Sequence, residues 1–170
     1  MKILIVSDTH GHANDYYKLL KKIAPMDLVI HCGDAEGQEN EMEIATRQIS
    51  NCPLVIVSGN NDFFSDLKKE VSLTLKNHHI LVTHGHNYYV SMEREFIKRE
   101  AKARGYDVVI YGHTHRPLLD ESDPNITALN PGSISYPRQE GHLPSYAVMT
   151  LEDDGSVYYA ICYIDANFYK

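Results

Sequence analysis

At 170 residues the chain is long enough for one domain to bury a core without disulfide or metal staples, and 43% hydrophobic with 23% charged residues describes an ordinary globular protein. A formal charge of -7 argues against an extended nucleic-acid surface, which depends on clustered Lys and Arg. The three cysteines, Cys32, Cys52 and Cys162, sit in or beside apolar runs rather than in CxxC pairs, which predicts reduced thiols in a cytoplasmic protein.

In chain order, KILIVS reads as a buried strand, too short for a signal peptide or a membrane span, so no membrane partner is expected. NDYYKLLKKI carries Tyr16, Leu19, Leu20 and Ile23 at helical spacing. DLVIHCGD is a second buried strand, ENEMEIATRQI a second helix and PLVIVSGNND a third strand. This βαβαβ order predicts a parallel sheet with right-handed crossovers. The pattern then changes. VSLTLKNHHILVTHGH predicts two strands joined by a tight polar turn holding His78 and His79, followed by a helix from Ser91 to Gly105 whose Met92, Phe96, Ile97 and Ala101 face the sheet. DVVIYGHTH is another strand. PLLDESDPNITALNPGS and SYAVMTLEDDGSVYYAICYI predict antiparallel hairpins, the second turned by Asp154 and Gly155. The sum is an α/β chain, residues 1–170 forming one domain, whose second half builds a mixed or antiparallel sheet.

The predicted central strands each break off into polar residues: VSDTH at Asp8 and His10, HCGD at Asp34, SGNND at Asn60, VTHGH at His84, and YGHTH at His113 and His115. If strand geometry persists one residue past Ser7, Asp8 and His10 point the same way. In open α/β sheets ligands bind at the carboxyl ends of strands, so five strands delivering metal-competent groups there form one coherent site. Turn chemistry accounts for the Gly and Asn in these stretches but not for histidines after three strands. His31 and Cys32, inside an apolar run, read as core.

The ordered set D-x-H, G-D, G-N-x-D, H-G-H and G-H-T-H resembles the calcineurin-like metallophosphoesterase superfamily, in its small bacterial and archaeal phosphodiesterase branch, from Met1 to about Arg138. The resemblance implies a four-layer αββα sandwich with a two-metal site. Carried over by position, Asp8, His10 and His115 hold one metal, Asn60, His84 and His113 the other, and Asp34 bridges both. It further implies a hydroxide shared by two divalent ions and attacking phosphorus in line, with Asp34, Asn60 and His84 acting through the metals and the phosphate. Mixed N and O donors suit Mn first, with Ni, Zn, Fe, Co or Mg as alternatives. Two such ions would leave a net positive site to attract a phosphate in an acidic protein.

One position departs from the family. Many members carry histidine after the asparagine, where it is thought to protonate the leaving group; here the residue is Asn61, which cannot act as a general acid at neutral pH. His12 is the first candidate for that proton and His86 the second. Asp62 is expected to fix its loop, NPGS at 130–133 to turn near the site, and Arg138 to contact phosphate. The substrate expected is a small phosphate diester, its identity set by loops at residues 36–42, 63–70 and 116–145. A phosphomonoesterase with the same site and a metal-binding scaffold of the same fold, like the retromer subunit, are the alternatives. Twelve tyrosines leave a homo-oligomer open.

Overall fold

The structure, a computed structural model, describes residues 1–169. Its first half follows the βαβαβ expectation. Strand β1 (Lys2–Val6) leads through α1 (Ala13–Ile23) to β2 (Leu28–His31), and α2 (Glu39–Ser50) leads to β3 (Leu54–Ile56). β1, β2 and β3 pair in parallel, Ile5 opposite Ile30 and Ile30 opposite Val55. Both helices bury one face, Tyr16, Leu19 and Leu20 from α1 and Met42 from α2, while Lys21 and Lys22 close the last turn of α1, where cations complement the helix dipole.

The second half builds another sheet. β4 (Glu70–Leu75) and β5 (His78–Thr83) form a hairpin, and α3 (Arg94–Ala103) precedes β6 (Val108–Ile110). β7 (Pro117–Asp123) and β8 (Ile126–Pro131) form a second hairpin. The last hairpin, β9 (Ser145–Leu151) and β10 (Val157–Tyr163), returns to the first sheet, where β9 runs antiparallel to β1. The result is two mixed five-stranded sheets, ordered β10-β9-β1-β2-β3 and β4-β5-β6-β8-β7.

The alternation of strand side chains divides the buried residues into three layers. Ile3, Ile5, Ile30, Ile80, Val82, Val108 and Ile110 meet between the sheets. Leu4, Val6 and Val29 turn outward onto α1 and α2, and Leu81 and Val109 onto α3. Each strand of the parallel centres is therefore apolar on both faces, which is why these segments read as continuous hydrophobic runs, and the order is the expected αββα sandwich. No helix among the described residues is long and apolar enough to cross a membrane.

Two local expectations change. His78 and His79 open β5, because the hairpin closes on only Lys76 and Asn77, with Lys76 left-handed at φ 53 and Leu75 opposite His78. The two-residue loop matches strand twist, so pairing continues to its edge. Met92 lies outside α3 and is 87% exposed. Left-handed Gly85 and Tyr89 bracket a short 3-10 turn at His86–Tyr88 that buries Val90 instead, and extended Glu93 (φ -141) delays the helix to Arg94.

Candidate metal centre

β1, β2 and β3 of one sheet and β5 and β6 of the other all end at one edge of the sandwich, and the residues that follow them converge. Asp8, Asp34 and His84 are completely buried there, with His10, Asn60 and His113 partly open. Extended geometry does not carry Asp8 and His10 to the site, contrary to the alternation argument. The backbone turns left-handed at Asp8 (φ 56) and His10 (φ 45), and again at Asp34 (φ 59), His113 (φ 67) and His115 (φ 55). Such conformations cost non-glycine residues about 1–3 kcal/mol each and persist only where surroundings over-determine them. Cross-loop hydrogen bonds supply that determination: Asp8 N donates to Gly33 O (3.1 Å), His10 N to Asp34 O (2.9 Å) and Gly112 N to His84 O (3.1 Å).

Three histidines are oriented alike. The Nδ1–H of His84 donates to Cys32 O at 2.7 Å, that of His115 to Tyr136 O at 2.6 Å and that of His10 to Glu36 Oε1 at 2.7 Å. Because each of these partners can only accept, the proton sits on Nδ1 and the Nε2 lone pair faces inward, the tautomer a metal requires.

Inward-facing acceptors then meet acceptors. His10 Nε2 and His115 Nε2 are 3.1 Å apart, His115 Nε2 is 3.2 Å from Asp8 Oδ1, and His84 Nε2 is 3.0 Å from Asn60 Oδ1. Asp8 Oδ1 is buried with no hydrogen-bond donor. Among the described residues no Lys or Arg pairs with Asp8 or Asp34; their ionic neighbours are all histidines. Converging lone pairs and buried carboxylates without a positive partner are destabilising in themselves, and one or more divalent cations satisfy all of them. The donor set thus fits a metal.

Two tight groups emerge, Asp8 with His10 and His115, and Asp8 with Asp34 and His84. Asp8 is the residue common to both, whereas the family resemblance implies Asp34 as the bridge. Asp34 Oδ2 also faces both sides, 3.7 Å from His10 Nε2 and 3.5 Å from His84 Nε2. His113 belongs to neither group: its backbone N donates to Asp8 Oδ2 (3.1 Å), and its ring stands 5.1 Å from that of His84. Burial and the nearby His84 lower the pKa of His113 and of His86, so both are neutral near pH 7. Burial pushes the Asp8 carboxyl up, and the Ser7 hydroxyl, which donates to Oδ2 at 2.5 Å, pulls it down.

Asp62 does fix its loop. Its carboxylate accepts from the backbone N of Asp34 (2.8 Å), Glu36 (2.7 Å) and Gly59 (2.7 Å). Asn61, conspicuous in the sequence for what it cannot do, has a positive role: its N and Nδ2 donate to the two Asp34 oxygens at 2.8 and 2.7 Å. The NPGS segment also lies at the site, Ser133 Oγ donating to Asp8 O (2.8 Å) and Asn130 Nδ2 to Gly112 O (2.7 Å). His12 lies outside both tight groups, exposed at the start of α1, with Nε2 2.6 Å from Tyr136 Oη. His31 is core as expected. Its Nε2 shares a hydrogen bond with Thr9 Oγ1 (3.1 Å) and its Nδ1 accepts from Gly33 N (3.2 Å).

Glu36 and Tyr136 were not singled out from the sequence, because a carboxylate and a main-chain carbonyl acting on the far side of a histidine follow no spacing rule. A cavity of about 490 Å³ opens on the site, lined by His10, Glu36, His115, Tyr136, Pro137 and Arg138. A second, of about 500 Å³, lies on the other side of Glu36, where Phe63 and Phe64 are 78% and 103% exposed beside Asn61.

Comparison with known proteins agrees with this arrangement. Residues 1–154 match the calcineurin-like phosphoesterase superfamily domain. A probable metallophosphoesterase of Bacillus subtilis, YsnB, is 37% identical over 157 residues, covering 92% of this chain and 88% of its own. The phosphodiesterase MJ0936 of Methanocaldococcus jannaschii is 31% identical over 148 residues, covering 78% and 83%. The crystal structure of a Streptococcus pneumoniae protein described as a predicted phosphoesterase superposes with a TM-score of 0.76 at 25% identity, covering 96% of this chain and 97% of that one. Zinc-complexed Vps29 of Entamoeba histolytica shares the fold at 21% identity, with a TM-score of 0.72 over 96% of this chain and 99% of its own. With its family's domain spanning nine-tenths of the sequence and the metal-competent residues gathered at one sandwich edge, the chain belongs to the calcineurin-like phosphoesterase superfamily.

Proposed function

We propose that this protein is a two-metal phosphodiesterase. The observation that carries the reading is the convergence of Nε2 lone pairs and carboxylate oxygens from both sheets on a point that no Lys or Arg side chain among the described residues neutralises. In this reading Asp8, His10 and His115 hold one divalent ion, Asn60, His84 and His113 the other, and Asp34, with Asp8 beside it, faces both. The ions, when bound, supply Lewis acidity at the phosphoryl oxygens and an activated water.

The remaining work belongs to the chain. Glu36, Cys32 and Tyr136 keep the His10, His84 and His115 rings turned inward through their Nδ1–H bonds. Asn61 pins both oxygens of Asp34, so it orients a carboxylate and has no proton to give a leaving group. Tyr136 lines the cavity edge-on to the His10 ring and is joined to His12 at 2.6 Å, so in this reading the pair holds a proton near the departing oxygen. With no histidine at position 61, esters whose leaving group needs little protonation are favoured, which supports diesters with aryl or similarly acidic alcohols. MJ0936, a phosphodiesterase by name, points the same way.

Purified protein should hydrolyse bis(p-nitrophenyl) phosphate faster than p-nitrophenyl phosphate in the presence of Mn²⁺, with Ni²⁺, Zn²⁺ and Mg²⁺ compared in parallel. Asp34→Asn and His84→Ala should each lower that turnover at least 100-fold while circular dichroism stays native. Wild-type-like turnover in either variant overturns the reading. Faster hydrolysis of the monoester would make it a phosphomonoesterase with the same site, and two bound metal equivalents without turnover a scaffold.

A further inference from the structure

The chain's arginines fall into two sets. Arg47 and Arg104 pair with Glu43 and Glu70 at 3.1 and 2.8 Å, and Arg99 lies over the Phe96 ring. Arg94, Arg116 and Arg138 make no ion pair among the described residues, yet they come together. They arrive from three places, the first turn of α3, the residue after His115, and the loop after β8, and line one recess of about 200 Å³ with Ser91 and Thr114.

Like charges gathered without carboxylates are unfavourable, and in a chain of formal charge -7 acidic partners are not scarce. The arrangement is also braced. Arg116 Nε donates to Arg138 O (3.2 Å), Arg138 N donates to His115 O (3.0 Å), and Thr114 Oγ1 accepts from Asn130 Nδ2 (3.1 Å) and from Arg116 N (3.2 Å). Arg138 lines both this recess and the cavity containing His10 and His115, so the two spaces adjoin at its side chain. Guanidinium groups offer forked donors that match phosphate oxygens bidentately.

We infer that Arg94, Arg116 and Arg138 form a subsite for a second phosphate carried by the substrate, next to the centre that cleaves the first. The inference rests on the phosphodiesterase reading above and narrows it: the preferred ester bears another phosphate, either a terminal monoester group or the next phosphodiester of a short strand.

The test compares thymidine 5′-(p-nitrophenyl phosphate) with the same ester carrying a 3′-phosphate, in Mn²⁺-loaded protein. The 3′-phosphate should lower KM about tenfold, the scale of a charge-assisted contact to one phosphate. R94Q/R116Q, exposed residues outside the metal centre, should reduce that advantage to within about twofold while kcat/KM for the plain ester is unchanged. A dinucleotide arm distinguishes the sources: a gain for thymidylyl-thymidine p-nitrophenyl ester equal to that of the 3′-phosphate assigns the subsite to an internucleotide phosphate, and a gain confined to the 3′-phosphate assigns it to a terminal one. No KM advantage in the wild type, or an undiminished one in R94Q/R116Q, overturns the inference. If the plain ester is not turned over at all, the hydrolase reading fails separately, and calorimetry decides the subsite. Thymidine 3′,5′-bisphosphate must then bind about tenfold tighter than thymidine 5′-monophosphate in the wild type and not in R94Q/R116Q.

Discussion

His31 shows how a buried residue serves the site without entering it. Its ring spans Thr9, between two candidate ligands, and Gly33, beside a third, and burial lowers its pKa to about 4 despite the opposing pull of Asp8. Above pH 6.5 His31 is neutral folded or unfolded; between 6.5 and about 4 only the unfolded chain takes up the proton, so stability is present at neutral pH and is lost as pH falls through that window. The full span is worth about 3 kcal/mol in metal-free protein. Urea titrations at pH 7, 5.5 and 4 should show it, and His31→Gln should flatten the slope by one proton, the remainder coming from His86 and His113, which shift in the same direction. An unchanged slope in the variant would rule His31 out as a titrating group. At this scale much was legible in advance. Asp8, His10, Asp34, Asn60, His84 and His115 could be found because each ends an apolar run, and the run announces where the strand stops. Glu36 and Tyr136 could not, since a residue that bonds the back of a histidine is chosen by the path of a loop.

At the scale of elements, the site depends on how closely the strand-end loops approach one another, and two glycines separate crowding from backbone strain. Gly59, after β3, has an ordinary φ, but a Cβ there would overlap Asp34, with Cγ only 2.8 Å away. Gly37 is left-handed at φ 85 with nothing within 4 Å of the same position. Gly59→Ala therefore forces the β2 and β3 loops apart and displaces Asp34 from Asn61 and Asp62, whereas Gly37→Ala meets only its own backbone preference, about 1 kcal/mol. The expected outcome is a loss of metal affinity of at least tenfold in Gly59→Ala and less than twofold in Gly37→Ala, read by Mn²⁺ calorimetry, with the latter destabilised by about 1 kcal/mol in urea. Equal affinities would show that the loops yield. The βαβαβ half and the three hairpins could be read from hydrophobic period and turn residues. The left-handed strand exits at Asp8 and His10 could not, because nothing local favours φ above zero at a histidine; contacts with the neighbouring loop impose it. The start of α3 differs for a similar reason, the helix formers Met92 and Glu93 being overruled by the turn that buries Val90.

For the molecule as a whole, the candidate centre lies across the division between the two sheets. Asp8, His10, Asp34 and Asn60 follow strands of the first sheet, and His84, His113 and His115 follow strands of the second. Elsewhere the sheets meet mainly through the apolar layer around Ile5, Ile30, Val82 and Ile110, which is non-directional and tolerant of small slips, with a few polar links at its margins such as Lys76 Nζ to Asp153 Oδ1 (2.8 Å) and Ser145 Oγ to Pro131 O (2.8 Å). Ions held by residues from both sides would act as a strap, binding the folded state alone, because unfolding scatters ligands as far apart in sequence as Asp8 and His115. At a free Mn²⁺ concentration of 100 times Kd this linkage adds about 2.7 kcal/mol, and for a chain of this length each kcal/mol moves Tm by about 2–4 °C. Scanning calorimetry should therefore show Tm rising by about 5–10 °C with Mn²⁺ and returning with a chelator. In Asp34→Asn, which keeps the shape of the side chain but loses its charge, the rise should shrink to a degree or two while the chelated Tm stays close to that of the wild type. A metal-independent Tm in the wild-type protein would mean that the converging lone pairs are met by something other than a bound divalent ion, and the strap would have to be abandoned along with the two-metal reading.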